Sequence, residues 1–138
     1  MRLPVSIVLS TALALLSIPG SAPAADSVSI DPGKVLVVMV YDHHCKKSCD
    51  DMRPRIEEIR QTYGDTIAVH SIDVSKDVLD QAKDKARKLG ISGFLPAVID
   101  YVPCVGIFTR KRKLVKELPV ARKKEVYVKH IEKALKSG

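Results

Sequence analysis

Between residues 34 and 41 every position after Lys34 is apolar, reading Val-Leu-Val-Val-Met-Val-Tyr. A short β-branched run without alternation predicts a strand buried on both faces, as at the centre of an α/β sheet. The period then changes. Cys45, Cys49, Met52, Ile56, Ile59 and Tyr63 recur at steps of four and three, one face of a helix, and Gly64 is its stop signal. Both cysteines therefore fall in the first turns of this helix, and Pro54 inside it predicts a kink. Residues 67–74 return to strand, with Ile67 and Val69 on one face and Ala68, His70 and Ile72 on the other. His70 reads as a solvent-side or partly covered strand residue.

Ser75 is an N-cap signal for a second helix. Asp77 falls in its first turn, Arg87 and Lys88 in its last, and Gly90 follows, as the helix dipole favours. Val78, Ala82, Ala86 and Leu89 share its apolar face. Beyond Ile91 the pattern predicts loop and strands, at residues 97–102, 105–108 and 113–118, with a hairpin turn at 109–112. A last helix over about residues 122–136 turns Tyr127, Ile131 and Leu135 inward, with Glu125–Lys129 and Glu132–Lys136 paired outside. The predicted order is β-α-β-α-β-β-α, an α/β fold with a central mixed β-sheet flanked by helices.

The amino-terminus has a different character. Arg2 precedes a nearly continuous apolar run at residues 5–18, then Pro19-Gly20 and the small residues Ser21-Ala22-Pro23-Ala24-Ala25. This is the layout of a secretory signal peptide, with Ala22-x-Ala24 as the cleavage pattern. The run is short of the ~20 residues that span a bilayer. The expected organisation is a signal peptide at 1–24, a polar tether at 25–33 and one domain at 34–138. The mature protein, periplasmic or secreted, is expected to have no transmembrane segment.

The whole chain carries a net charge of +7. Much of the excess lies in Arg-Lys-Arg-Lys at 110–113 and Arg-Lys-Lys at 122–124. No aromatic residues are interleaved there for base stacking, so a solvated face is expected and no nucleic-acid partner.

Three cysteines remain to be explained: Cys45, Cys49 and Cys104. Export places them where disulfides persist, and an odd count leaves one thiol over. On an ideal helix, residues four apart have Cα atoms about 6 Å apart, within the roughly 4.4–6.8 Å that a disulfide tolerates. A bond near the long end is easily reduced, which suits a redox pair better than a structural staple. The helix N-terminus, Lys46, Lys47 and His44 all favour thiolate at Cys45, making it the nucleophile and Cys49 the resolving thiol. An inert buried cystine is the bland alternative.

A cysteine pair between the first strand and first helix of this element order resembles the thioredoxin superfamily, over roughly residues 34–136. Pro54 lies five residues after Cys49, where thioredoxins carry a helix-kinking proline. Residues 88–93, Lys-Leu-Gly-Ile-Ser-Gly, look like the segment leading to the family's cis-proline. Residues 102–108, Val-Pro-Cys-Val-Gly-Ile-Phe, look like the cis-proline and the strand after it. Pro96 fits one spacing and Pro103 the other, with Pro103 favoured. The departures are specific: the motif is C-x-x-x-C rather than C-x-x-C, His44 replaces the tryptophan, and Met39 stands where a buried acid assists proton transfer.

The resemblance implies an exported thiol–disulfide oxidoreductase without a resident cofactor. Cys45 and Cys49 would be catalytic, Val102 and Pro103 would shape the substrate groove, and His44, Lys46 and Cys104 would be supporting. Its partners would be exported proteins with thiols or disulfides, and a redox partner not identified. The alternative is copper. C-x-x-x-C on this fold also resembles the Sco-type copper chaperones, where a distant histidine completes the site. Here the only later histidines are His70 and His130, so Cys104 or His44 would have to complete a site for Cu(I). Cys104 is equally explained as a small core residue. A third alternative is a non-catalytic binding module that keeps the fold and, without the buried acid, performs no exchange.

Overall fold

The computed structural model describes residues 32–138. The signal peptide expected at 1–24 and most of the tether at 25–33 lie outside the described residues. The first strand, β1 (Val35–Tyr41), is buried along its first six residues. It has a neighbour on each side, in a four-stranded sheet of order β2-β1-β3-β4. On one side lies β2 (Ile67–Asp73), parallel, in a register running from Val35 opposite Ile67 to Tyr41 opposite Asp73. On the other lies β3 (Cys104–Phe108), antiparallel, with Leu36 opposite Phe108 and Val40 opposite Cys104. The outer strand β4 (Leu114–Pro119) joins β3 by a tight hairpin, in which the Arg112 N–H donates to the Thr109 carbonyl at 2.9 Å. A strand flanked on both edges and covered on both faces cannot afford polar side chains, hence the unbroken apolar run.

The pleat divides the core in two. Val35, Val37 and Met39 of β1, with Val105 and Ile107 of β3, face helices α1 (Lys47–Tyr63) and α4 (Lys124–Lys136). Leu36, Val38 and Val40, with Cys104 and Phe108, face α2 (Leu79–Lys88) and α3 (Phe94–Val98). On α1 the stripe read from the sequence is the stripe buried: Cys49, Met52, Ile56 and Ile59, each aliphatic burial contributing about 1.5–3 kcal/mol. Tyr63 continues it, donating its hydroxyl proton to Glu132 of α4 at 2.8 Å. Pro54 is accommodated inside this 17-residue helix. On α4 the inward residues are Tyr127, Ile131 and Ala134, with Leu135 half-buried beside them. No helix among the described residues is long and apolar enough to cross a membrane.

Two local expectations are corrected. Residues 97–102 are not a strand: they form the end of α3 and a 3-10 turn at Ile99–Tyr101. The buried positions Phe94, Leu95 and Val98 follow helical spacing, and Pro96 occupies the first turn, where a missing N–H breaks no helical bond. The observed order is thus β-α-β-α-α-β-β-α, the expected one with a short helix added. Ser75 makes no side-chain cap to α2; a 3-10 turn at Lys76–Val78 intervenes, and the serine hydroxyl is engaged elsewhere.

Candidate thiol site

The site is built where β1 hands over to α1. The chain leaves the sheet at Tyr41 and turns sharply, the Cys45 N–H donating to the Asp42 carbonyl at 2.9 Å. The same carbonyl accepts the Cys49 thiol, at 3.9 Å. Cys45 therefore lies in this turn, two residues before α1 begins, rather than inside the helix as its spacing predicted. Its N–H is committed to the turn, and the first helical bond runs from Asp50 to Lys46 at 3.0 Å. Cys49 lies in the first helical turn. Lys46 is the exposed N-cap residue, making no side-chain cap bond.

The two thiols differ in access. Cys45 is half-buried and Cys49 has no exposed surface. Burial pushes the Cys49 thiol up to about 12, and the adjoining Cys45 sulfur adds to this, while Arg53 opposes it. The cation of Arg53 sits 5.0 Å above the Tyr41 ring, one helical turn beyond Cys49. Met39, at the position where the thioredoxins carry a buried acid, is 2% exposed within the apolar core under α1 and α4.

The turn is held by a polar network that the sequence reading missed. Asp42 Oδ1 accepts the His44 N–H at 2.8 Å and contacts His44 Nδ1 at 2.9 Å. His43 Nδ1 lies 3.2 Å from Asp73 Oδ2, and the His43 N–H donates to the Ser75 hydroxyl oxygen at 3.0 Å. Ser75, fully buried, stands between the carboxylates of Asp42 and Asp73 with its single proton to give. The His44 N–H, followed by its ring, holds the Asp42 carboxyl below the usual carboxylate range. Burial alone would raise Asp73, but hydrogen bonds from Ser75 and then His43 bring it below its ordinary value. No spacing motif announces contacts between residues some thirty positions apart; parallel pairing of Tyr41 with Asp73 creates them.

Of the two prolines, Pro103 carries the cis peptide bond, Val102–Pro103. Pro103 is buried, and its carbonyl accepts the Val120 N–H at 3.0 Å, while Val102 is half-buried. Pro96 instead lines a cleft of about 510 Å3 between α2 and α3, with Leu79, Leu95 and Ile99. Cys104 begins β3 opposite Val40 and is 1% exposed, on the α2/α3 side of the sheet, whereas Cys49 packs on the other side. Burial pushes its thiol up to about 11. Among the described residues, the cluster of three metal-ligating groups is Asp42, His43 and His44.

No protein-family model matches the chain, and no curated protein matches it in sequence. Solved structures do. A malarial protein aligns with a TM-score of 0.53 and 17% identity, over 74% of this chain and 98% of that one. Mitochondrial thioredoxin 3 of Saccharomyces cerevisiae, in its oxidised form, aligns at 0.52 and 19% identity, over 75% and 82%. The exposed lipoprotein thioredoxin of Streptococcus pneumoniae aligns at 0.50 and 18%, over 74% and 86%. At such identities the likeness speaks for architecture alone. Together with the mixed sheet, its flanking helices and the element order, it establishes that this chain has the thioredoxin-like fold.

Proposed function

We propose that the protein exchanges disulfides with thiol- or disulfide-bearing proteins outside the cytoplasm, through Cys45 and Cys49. The observation that carries this reading is the asymmetry of the pair: one sulfur open to attack and be attacked, the other shielded beside it. In the reducing direction the Cys45 thiolate attacks one sulfur of a partner disulfide. A Cys45–partner bond forms and the other partner sulfur leaves as thiolate. Cys49 then gives up its proton, which the departing thiolate takes, and attacks Cys45 Sγ, releasing the second partner sulfur as thiolate. The partner gains two electrons and the pair ends as a Cys45–Cys49 disulfide. An oxidising partner drives the same steps backwards. The signal-peptide pattern at 1–24 supports the compartment, and the half-buried Val102 beside cis-Pro103 supports a groove for the partner chain.

Copper carriage has less support, because among the described residues the cluster of three metal-ligating groups, Asp42, His43 and His44, includes neither sulfur. The test is Cys49→Ser, expressed in cells with the native leader. It should accumulate mixed disulfides with exported proteins, visible on non-reducing gels and lost on reduction. Absence of adducts, together with no disulfide reductase activity of the unsubstituted protein, would leave a binding module and overturn the exchange reading.

A further inference from the structure

The Asp42–His43–His44 turn has the chemistry of a metal site separate from the cysteine pair. One ligand atom from each of the three residues lies within 4.8 Å of the others. Donors on one tetrahedral Zn2+ stand at about 2.0–2.2 Å from it, which sets them roughly 3.4 Å apart. Small movements of two exposed histidine side chains bridge the difference.

The surroundings are those that metal-binding imidazoles use. Each ring has a carboxylate oxygen at Nδ1: Asp73 Oδ2 at 3.2 Å for His43 and Asp42 Oδ1 at 2.9 Å for His44. At His43 the Asp73 carboxylate fixes the Nδ1–H tautomer, orients the ring and leaves the Nε2 lone pair for an ion; at His44 the Nδ1 contact with Asp42 Oδ1 already sets two donor atoms side by side, where an ion can take the place of the shared proton. The rings lie side by side, centroids 4.0 Å apart and tilted by 36°. Beneath them Ser75, fully buried, accepts the His43 N–H and stands within reach of both carboxylates with its one proton to give. The support sits at the ends of two paired strands, so it is in place before any ion arrives.

We propose that Asp42, His43 and His44 bind one divalent transition ion of the Zn2+ class, with Asp73 and Ser75 as the groups that orient the ligands. Two carboxylates and two neutral imidazoles match a divalent charge. A nitrogen-and-oxygen donor set suits Zn2+, Ni2+ or Cu2+ rather than Cu+, which prefers thiolates, or Ca2+, which prefers oxygens alone.

The test is calorimetric titration of the tag-free, full-length protein with Zn2+ under a non-thiol reductant, beside Co2+ absorption spectra. One ion per chain should bind. His43→Ala and His44→Ala should each weaken binding at least tenfold, and Asp73→Asn by about tenfold, in line with supporting carboxylates elsewhere. Cys45→Ser should stay within twofold of the unsubstituted protein. The Co2+ spectrum should show no sulfur-to-metal charge-transfer band, a readout that needs no variant to fold. Failure of the unsubstituted protein to take up Zn2+, affinity unchanged from the unsubstituted protein in both histidine variants, or a charge-transfer band removed by Cys45→Ser would each overturn the proposal. The last would assign the ion to the thiols.

Discussion

Cys49 and Cys104 look alike in isolation and lie on opposite faces of one sheet. Both are buried, at 0% and 1% exposure, and burial is the leading cause of raised thiols in both, to about 12 and about 11. The next cause separates them. Cys49 has a second sulfur beside it, and Cys104 has the Glu117 carboxylate. A buried thiol acts in redox chemistry only when another sulfur can reach it; otherwise it behaves as a small apolar core residue. Strand pleat, not residue type, assigns the roles: Cys104 shares the α2/α3 face with Val40 and Phe108, away from the turn that carries Cys45.

The largest effect that would break this comparison is on activity. Cys45→Ser should abolish reduction of a protein disulfide to background, a loss of at least 100-fold, or about 2.7 kcal/mol in the barrier. Cys104→Ser should change the rate less than about threefold. Comparable losses in turnover assays of the two variants would erase the distinction between the faces.

A second prediction loads the Cys104 side alone. A Cβ at Gly106 would lie 2.6 Å and 2.9 Å from Phe94 ring atoms and 2.8 Å from Phe108. These rings meet edge to face with centroids 5.1 Å apart, so neither can retreat freely. Gly106→Ala should cost about 1–3 kcal/mol of stability in urea unfolding, with exchange activity kept at 25 °C. Loss of activity without loss of stability would mean that this face feeds the thiol site.

The smallest effect is in the alkaline range. The unfolded thiols ionise near 9.0, whereas folded Cys104 and Cys49 hold their protons to about 11 and about 12. The folded state therefore binds more protons across that interval. Stability should be full below pH 9 and fall as pH rises toward 11. Cys104→Ala should flatten the fall without removing it, because Cys49 and the raised Tyr63 contribute in the same sense. Urea midpoints measured from pH 8 to 11 report the slope, and an unchanged slope would show that Cys104 is not shielded as described.

Much of the fold was legible because its signals are local. The run at 35–40 has one reading, and the stripe from Cys49 to Ile59 repeats often enough to set a period. The short α3 was misread because five residues barely complete one turn, and Ala97 and Val98 next to Ile99 pass for strand. At the site, the cysteine pair and Pro103 could be singled out from order along the chain. Placing Cys45 outside the helix required the Asp42 carbonyl, and the Ser75 bridge required β1–β2 pairing; neither is a property of neighbouring residues. The Asp42-His43-His44 triplet was not singled out either, because its support from Asp73 and Ser75 comes from strand pairing.

The central claim is that two of the three sulfurs form one redox couple and the third stands apart. Equilibrating the protein in glutathione buffers of graded potential, blocking free thiols and mapping the non-reduced peptides by mass tests it directly. The account predicts one two-electron transition, with Cys45 bonded to Cys49 in the oxidised protein and Cys104 recovered as a blocked thiol after unfolding. A dominant Cys45–Cys104 or Cys49–Cys104 bond, or a pair that never oxidises, would contradict it.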